Sequence, residues 1–226
     1  KKQYLSGLFR ETYLRDIAER HQIRYPEALD QIATELSSAI GSLTNSSKLA
    51  DTLKTVKGTE IDSETVGSYL GYMTESYLFA KADRSDIKGR RYFSYPSKYY
   101  CVDPGLRNAK LNFRQMEETH LMENIIYNEL RVRGYQVDVG VVVKRDRNEE
   151  GVQEKKQLEI DFVANMGSKR YYIQSAFGLS DAEKRAQEKA PLINVNDSFK
   201  KIIIVKDAIK SHYNEEGVLI LNLFEL

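Results

Sequence analysis

The chain has 226 residues, 41% of them hydrophobic and 30% charged, a length and composition that exclude intrinsic disorder and exceed one typical domain. Lys and Arg number 34 against 33 Asp and Glu, so no overall field marks the chain for nucleic acid or a membrane, and no run approaches the ~18 apolar residues that cross a bilayer. One cysteine, Cys101, excludes an internal disulfide framework and gives the expectation of a reducing, cytoplasmic setting. Opening on Lys1-Lys2 gives the further expectation of a piece of a longer protein.

From Tyr4 to about Leu78 the apolar spacing is helical. Leu5, Leu8, Phe9, Tyr13, Leu14 and Ile17 mark one face of a first helix. Pro26 suits the first turn of a second, which carries Leu29, Ile32, Ala33 and Leu36 and stops near Gly41. A third begins after Asn45 or Ser46 and closes at Gly58, and a fourth is capped by Asp62 or Ser63, with Val66, Tyr69, Leu70, Met73 and Tyr77 inward. Two short helices joined by a glycine-containing turn form a helix-turn-helix pattern. The spacing then predicts strands over Phe79–Asp83, Arg91–Tyr95 and Tyr99–Val102, broken at Asp103-Pro104-Gly105. A hairpin directly behind such a helix pair is what a winged helix has.

A helix over Met116–Arg133 opens the second half, followed by strands over Tyr135–Val143, Gln157–Ala164 and Tyr171–Phe177. A charged helix, Asp181–Lys189, leads past Pro191 to strands over Lys201–Val205 and Val218–Leu221. The charged segment Lys144–Lys156 reads as a solvated connection. The predicted fold class is therefore α+β. Residues 1–110 are expected to form a helical winged-helix domain, and residues 111–226 an α/β domain around one mixed sheet.

No phosphate-cradling P-loop, dinucleotide fingerprint or paired-cysteine zinc motif occurs, and the three histidines His21, His120 and His212 are isolated. The strand Leu158–Val163 alternates, which would set Glu159 and Asp161 on one face. In a hairpin Gln174 would lie beside Asp161, and Glu123 projects from the preceding helix. Magnesium used in phosphodiester cleavage needs hard oxygen ligands with open positions, and Glu123, Asp161 and Gln174 are the candidates. The same pattern also fits a solvated sheet face and an exposed helix acid. Lys81, Arg84, Lys88, Arg90 and Arg91 crowd the hairpin, and a basic wing can lie along duplex DNA phosphates. Residues 1–110 carry 17 basic and 14 acidic side chains. The outward face of the fourth helix offers Glu64, Ser68, Thr74 and Glu75, which do not read bases. Protein contact is the open alternative for this half. Cys101, in an apolar strand, reads as a buried small hydrophobe.

The run Ser97-Lys98-Tyr99-Tyr100-Cys101-Val102-Asp103-Pro104-Gly105-Leu106-Arg107, the pairs Glu123-Asn124 and Glu129-Leu130, and Glu159-Ile160-Asp161-Phe162-Val163 together resemble the C-terminal region of a prokaryotic family of AAA-type ATPases. In that family an N-terminal P-loop module precedes a region of unknown function, understood as a winged helix followed by a PD-(D/E)XK nuclease-like (restriction-endonuclease-like) domain. The resemblance covers essentially the whole chain and implies that ATP and Mg belong to an ATPase module upstream of Lys1, with no cofactor in this part. Residue by residue, Glu123 matches the helix acid, Asp161 the central aspartate and Gln174 the (D/E) position, while Ala176 stands where the nuclease motif has lysine. Alanine cannot orient a water or offset developing charge, and a neutral amide weakens metal binding; Lys169 or Lys184 would have to substitute. The resulting expectation is a non-catalytic accessory module that binds DNA or a partner. The alternatives are a metal-dependent endonuclease using Asp161 and Glu123, and a protein-interaction or sensor module.

Overall fold

The computed structural model describes residues 2–89, 91–147, 153–179 and 181–226. Two compact units emerge, one of Lys1–Ala82 with Tyr95–Asn124 and one of Asp83–Ser94 with Ile125–Leu226. This division follows contacts along the hairpin, whereas the sequence boundary at 110/111 follows the change of period. The fold is mixed α+β with a large mixed sheet.

The first unit opens with α1 (Lys2–Gly7), a π-helical stretch (Leu8–Leu14) and α2 (Arg15–Arg20). Phe9 and Leu14 are both buried although five residues apart, a spacing that a wider i→i+5 turn suits better than an α-turn. Then come α3 (Pro26–Ser38), β1 (Leu43–Thr44), α4 (Ser46–Lys57) and α5 (Ser63–Glu75). The caps are local chemistry: Asn45 Oδ1 accepts from Lys48 N at 2.8 Å, Asp62 Oδ1 accepts from Thr65 N at 2.7 Å, and Gly58 ends α4 in the left-handed region. Ile32, Leu36, Leu53, Val66, Met73 and Phe79 form the middle of this unit's core.

Strands β2 (Phe79–Asp86) and β3 (Arg91–Cys101) form one longer hairpin than the sequence indicates, because Tyr95 to Tyr99 continue β3 without a break. β1 pairs antiparallel with β3, Leu43 opposite Lys98 and Thr44 opposite Ser97. Asp103-Pro104-Gly105, expected to break the chain, starts a helix instead: Asp103 Oδ1 accepts from the Gly105 and Leu106 amides and caps α6 (Pro104–Lys110). Pro104 at the first helical position loses no hydrogen bond there.

In the second unit, α7 (Glu118–Val132) contributes its residues from Ile125 onward. The sheet contains β4 (Gln136–Arg147), β5 (Gln153–Met166), β6 (Lys169–Ala176), β7 (Lys200–Val205), β8 (His212–Tyr213) and β9 (Leu219–Asn222). The end of β2 joins β4 in parallel, β4–β5–β6 are antiparallel, β6–β7–β9 are parallel, and β8 closes the edge antiparallel to β9. The segment expected as a solvated connection is largely a ladder, Lys144 opposite Lys156 and Arg147 opposite Gln153. Helix α8 (Ala182–Ile193) runs through Pro191 rather than stopping before it, because Pro191 and Leu192 are buried and their packing offsets the missing N–H.

Candidate functional site

Glu123 belongs to the first unit, on the opening turns of α7. Its Oε1 accepts from Lys98 Nζ at 3.0 Å and from Tyr100 Oη at 2.7 Å. The Lys98 and Glu123 side chains are 6% and 15% exposed, so this is a largely buried ion pair and not an exposed helix acid. The next residue, Asn124, is fully buried, and its side chain reads as an extra strand: Oδ1 accepts from Cys101 N at 2.9 Å and Nδ2 donates to Cys101 O at 2.8 Å. Gly41, at φ +73°, passes so close that a Cβ there would lie 3.0 Å from Glu123 Oε1. Arg107, fully buried, donates from Nε to Ser37 O at 2.8 Å and from Nη1 to Gln115 O. The residues that carry the resemblance in this half therefore interlock α3, β3, α6 and α7. Cys101 is buried and its thiol is pushed up to about 12, chiefly by desolvation, which keeps it protonated.

Asp161 and Gln174 lie in the second unit, where β5 leaves β6. Asp138 faces Val163 and Gly140 faces Ile160, so the single residue Val139 stands opposite both Asp161 and Phe162. This bulge interrupts the alternation read from the sequence. The regular β5–β6 ladder ends at Phe162 opposite Ile173. Beyond it side chains replace the ladder: Asp161 Oδ2 accepts from Ser175 N at 2.8 Å, and Gln174 Oε1 accepts from Asp161 N at 3.5 Å. Asp161 is 9% exposed, and Ala176 is buried. Among the described residues no three His, Cys, Asp or Glu side chains gather as a metal site.

On the hairpin, Lys81 and Lys88 are exposed. Arg84 is committed to packing: its guanidinium lies over Phe93 at 5.4 Å, Nη2 donates to Gln157 at 3.4 Å, and Nε is buried without a hydrogen-bond partner. Arg90 and the Arg91 side chain lie outside the described residues. Of the two lysines offered as substitutes near the nuclease-like positions, Lys169 is exposed at the start of β6 and Lys184 lies in the first turn of α8.

A cavity of about 440 Å³ opens in the second unit around Asp138, Tyr92, Val163, Asn165, Arg170 and Phe199. Asp138 is 6% exposed and accepts from Tyr92 Oη at 2.9 Å. Desolvation raises its carboxyl above the usual range, against the Tyr92 hydrogen bond and the Arg170 charge, which lower it. Sequence reasoning passed over this residue. The signal was present, since a carboxylate within the apolar run Val137-Asp138-Val139 must find a buried partner.

A Haemophilus influenzae protein described as uncharacterized is 32% identical over 204 residues, which cover 90% of this chain and 47% of that protein. The Methanocaldococcus jannaschii uncharacterized protein MJ1544 is 31% identical over 216 residues, 96% of this chain and 44% of that protein. The chain thus spans about half the length of the curated relatives it matches. A crystal structure of protein VC1899 from Vibrio cholerae aligns with 88% of this chain and 53% of its own at 12% identity, but a TM-score of 0.31 carries no argument. None of these descriptions names an ATPase, a nuclease or DNA. No described helix is long and apolar enough to cross a membrane. Residues 1–117, just over half of the chain, match the family model "Domain of unknown function (DUF8612)", and the chain belongs to that family.

Proposed function

We propose that the chain is a binding module of a longer ATP-dependent protein and that it does not itself cut nucleic acid. The observation that carries this reading is that both candidate metal carboxylates already have protein partners. Glu123 holds Lys98 and Tyr100, and Asp161 holds the Ser175 amide beside a neutral Gln174, with the buried Ala176 in the lysine position. A cutting site gathers its carboxylates on one cation, whereas the Lys98 ammonium already holds Glu123, and among the described residues no three His, Cys, Asp or Glu side chains gather as a metal site. The order α3-β1-α4-α5-β2-β3, with β1 antiparallel to β3, supports a winged helix over residues 1–110. The order α7-β4-β5-β6-α8-β7 supports a restriction-endonuclease-like domain after it. Relatives of about twice the length leave room for an ATPase module that would hold ATP and Mg. The buried, protonated Cys101 suits a cytoplasmic setting.

Under this reading Lys81 and Lys88 contact the phosphates of duplex DNA, with Arg90 and Arg91 as the further cations proposed to do so, whereas Arg84 is held by Phe93 and Gln157. Fluorescence anisotropy at two salt concentrations tests it. The expected Kd is about 10⁻⁶ M at low salt, and the Lys81→Glu/Lys88→Glu pair lowers the salt slope by about two. Incubation of the same DNA with Mg²⁺ or Mn²⁺ should yield no product. Product that disappears in Asp161→Ala would overturn the non-cutting part in favour of a metal-dependent endonuclease. Absence of binding at low salt would favour a second reading, a protein-docking module. That reading rests on the outward face of α5, where Glu64, Ser68 and Glu75 are exposed, and on Tyr77, expected on the core face but set just past the helix end and 74% exposed.

A further inference from the structure

The cavity around Asp138 lies apart in chemistry from both the hairpin lysines and the Asp161 bulge. Its floor is one buried carboxylate. Tyr92 donates its hydroxyl to Oδ2, and a carboxylate of four lone-pair positions can accept further N–H groups. Tyr92 and Phe199, which line it, are 59% and 40% exposed, so part of each ring is accessible to a flat group, alongside the Arg170 guanidinium that already lies over Phe199. At the rim Arg170 lies over Phe199 at 5.5 Å and is steadied by Nε donating to Asn165 Oδ1 at 2.7 Å. Lys169 adjoins it, exposed. Asp86, the other acid on the rim, turns its carboxylate to the Lys88 and Gly89 amides.

A complementary ligand has adjacent N–H donors at one end, an aromatic ring in the middle and an anion at the other end. Guanine presents such donors, N1–H beside the exocyclic amine. Adenine and cytosine place a ring-nitrogen acceptor beside their amine, which a carboxylate repels, and uracil has a single donor between two acceptors. The volume falls within the ~300–1,000 Å³ usual for small-molecule sites. We propose that this cavity binds a guanine mononucleotide, its base edge on Asp138 between Tyr92 and Phe199 and its phosphate toward Lys169 and Arg170. The proposal does not depend on duplex DNA binding, because the residues tested below are not the hairpin lysines.

Calorimetric titration of the whole chain with guanosine 5′-monophosphate, adenosine 5′-monophosphate and inorganic phosphate tests it. The guanine nucleotide should bind at least tenfold more tightly than the adenine one, and inorganic phosphate should be weaker than either. Asp138→Asn should abolish the guanine preference. Lys169→Glu, an exposed substitution that leaves the core untouched, should weaken both nucleotides severalfold while keeping the preference. No heat with the guanine nucleotide at 1 mM, equal affinity for the two nucleotides, or a preference that survives Asp138→Asn would each overturn the proposal. So would inorganic phosphate matching the guanine nucleotide.

Discussion

Replacing Lys98 with methionine keeps most of the side-chain volume and removes the cation that faces Glu123. At 3.0 Å, with an effective dielectric of about 20, the attraction between the two charges is about 5–6 kcal/mol. Desolvation of both groups offsets part of it, and breaking such a pair from one side typically costs about 3–5 kcal/mol because the remaining charge stays buried. Tyr100 still donates to Glu123 at 2.7 Å, which places the expected loss at the lower end, about 3 kcal/mol. With a urea dependence of about 1.5–2 kcal/mol per molar, the midpoint of the first unit should fall by about 1.5–2 M, followed by far-UV circular dichroism since the chain has no tryptophan. The double variant Lys98→Met/Glu123→Gln should recover most of that loss, since both charges are then gone. A Lys98→Met midpoint within 0.5 M of wild type, or a double variant less stable than the single, would refute the buried-pair reasoning. Glu123→Gln alone discriminates further. A carboxylate kept for a metal is commonly held at a cost in stability, so its neutralisation stabilises; a fastening carboxylate destabilises when neutralised. The expected sign is loss.

Two further outcomes follow from the second unit. A Cβ on Gly140 would lie 2.8 Å from Val163 Cγ2, 2.9 Å from Ile87 Cδ1 and 3.1 Å from Ile160 Cβ, so Gly140→Ala should cost about 1–3 kcal/mol in the same denaturation assay, and an unchanged midpoint would show that the bulge relaxes freely. Asp138, raised by burial and by nearby Asp83 and lowered by Tyr92 and Arg170, binds its proton more tightly folded than unfolded. Its contribution to stability is therefore full below the ordinary carboxylate pKa of about 3.9 and is lost as pH rises through the elevated folded value. Melting curves should show wild type losing ground to Asp138→Asn over that rise, whereas parallel curves would contradict the shift.

What the sequence made legible was chemistry that acts within a few residues. Asn45, Gly58 and Asp62 announce helix ends because a cap is satisfied by its own neighbours, and the run Ile202-Ile203-Ile204-Val205 announces an interior strand because both faces are covered. The two-residue β1 was not legible, since it exists only through its pairing with Lys98 and Ser97. Nor was the bulge at Asp161, which requires β4 to offer one residue against two. Glu123 illustrates the same limit at the candidate site. The residue type and helix were readable, but Lys98 stands 25 positions away, and no local pattern says that a lysine will occupy that carboxylate. Asp138 was the converse case, a local anomaly whose partner, Tyr92, lies 46 positions distant.

A single-residue deletion inside a helix ordinarily rotates everything after it by about 100° and wrecks the buried face. The stretch Leu8–Leu14 inverts that rule. Phe9 and Leu14 stand five apart and share the interior by virtue of the widened turn, so the segment carries, in effect, one surplus residue. Excising one of the exposed positions between them, Arg10 or Glu11, would leave Phe9 and Leu14 four apart, the natural α-helical repeat, with Ile17 still three beyond. This helix is thus a place where one residue can be removed with the buried face kept in register, because the wide turn already accommodates the extra residue.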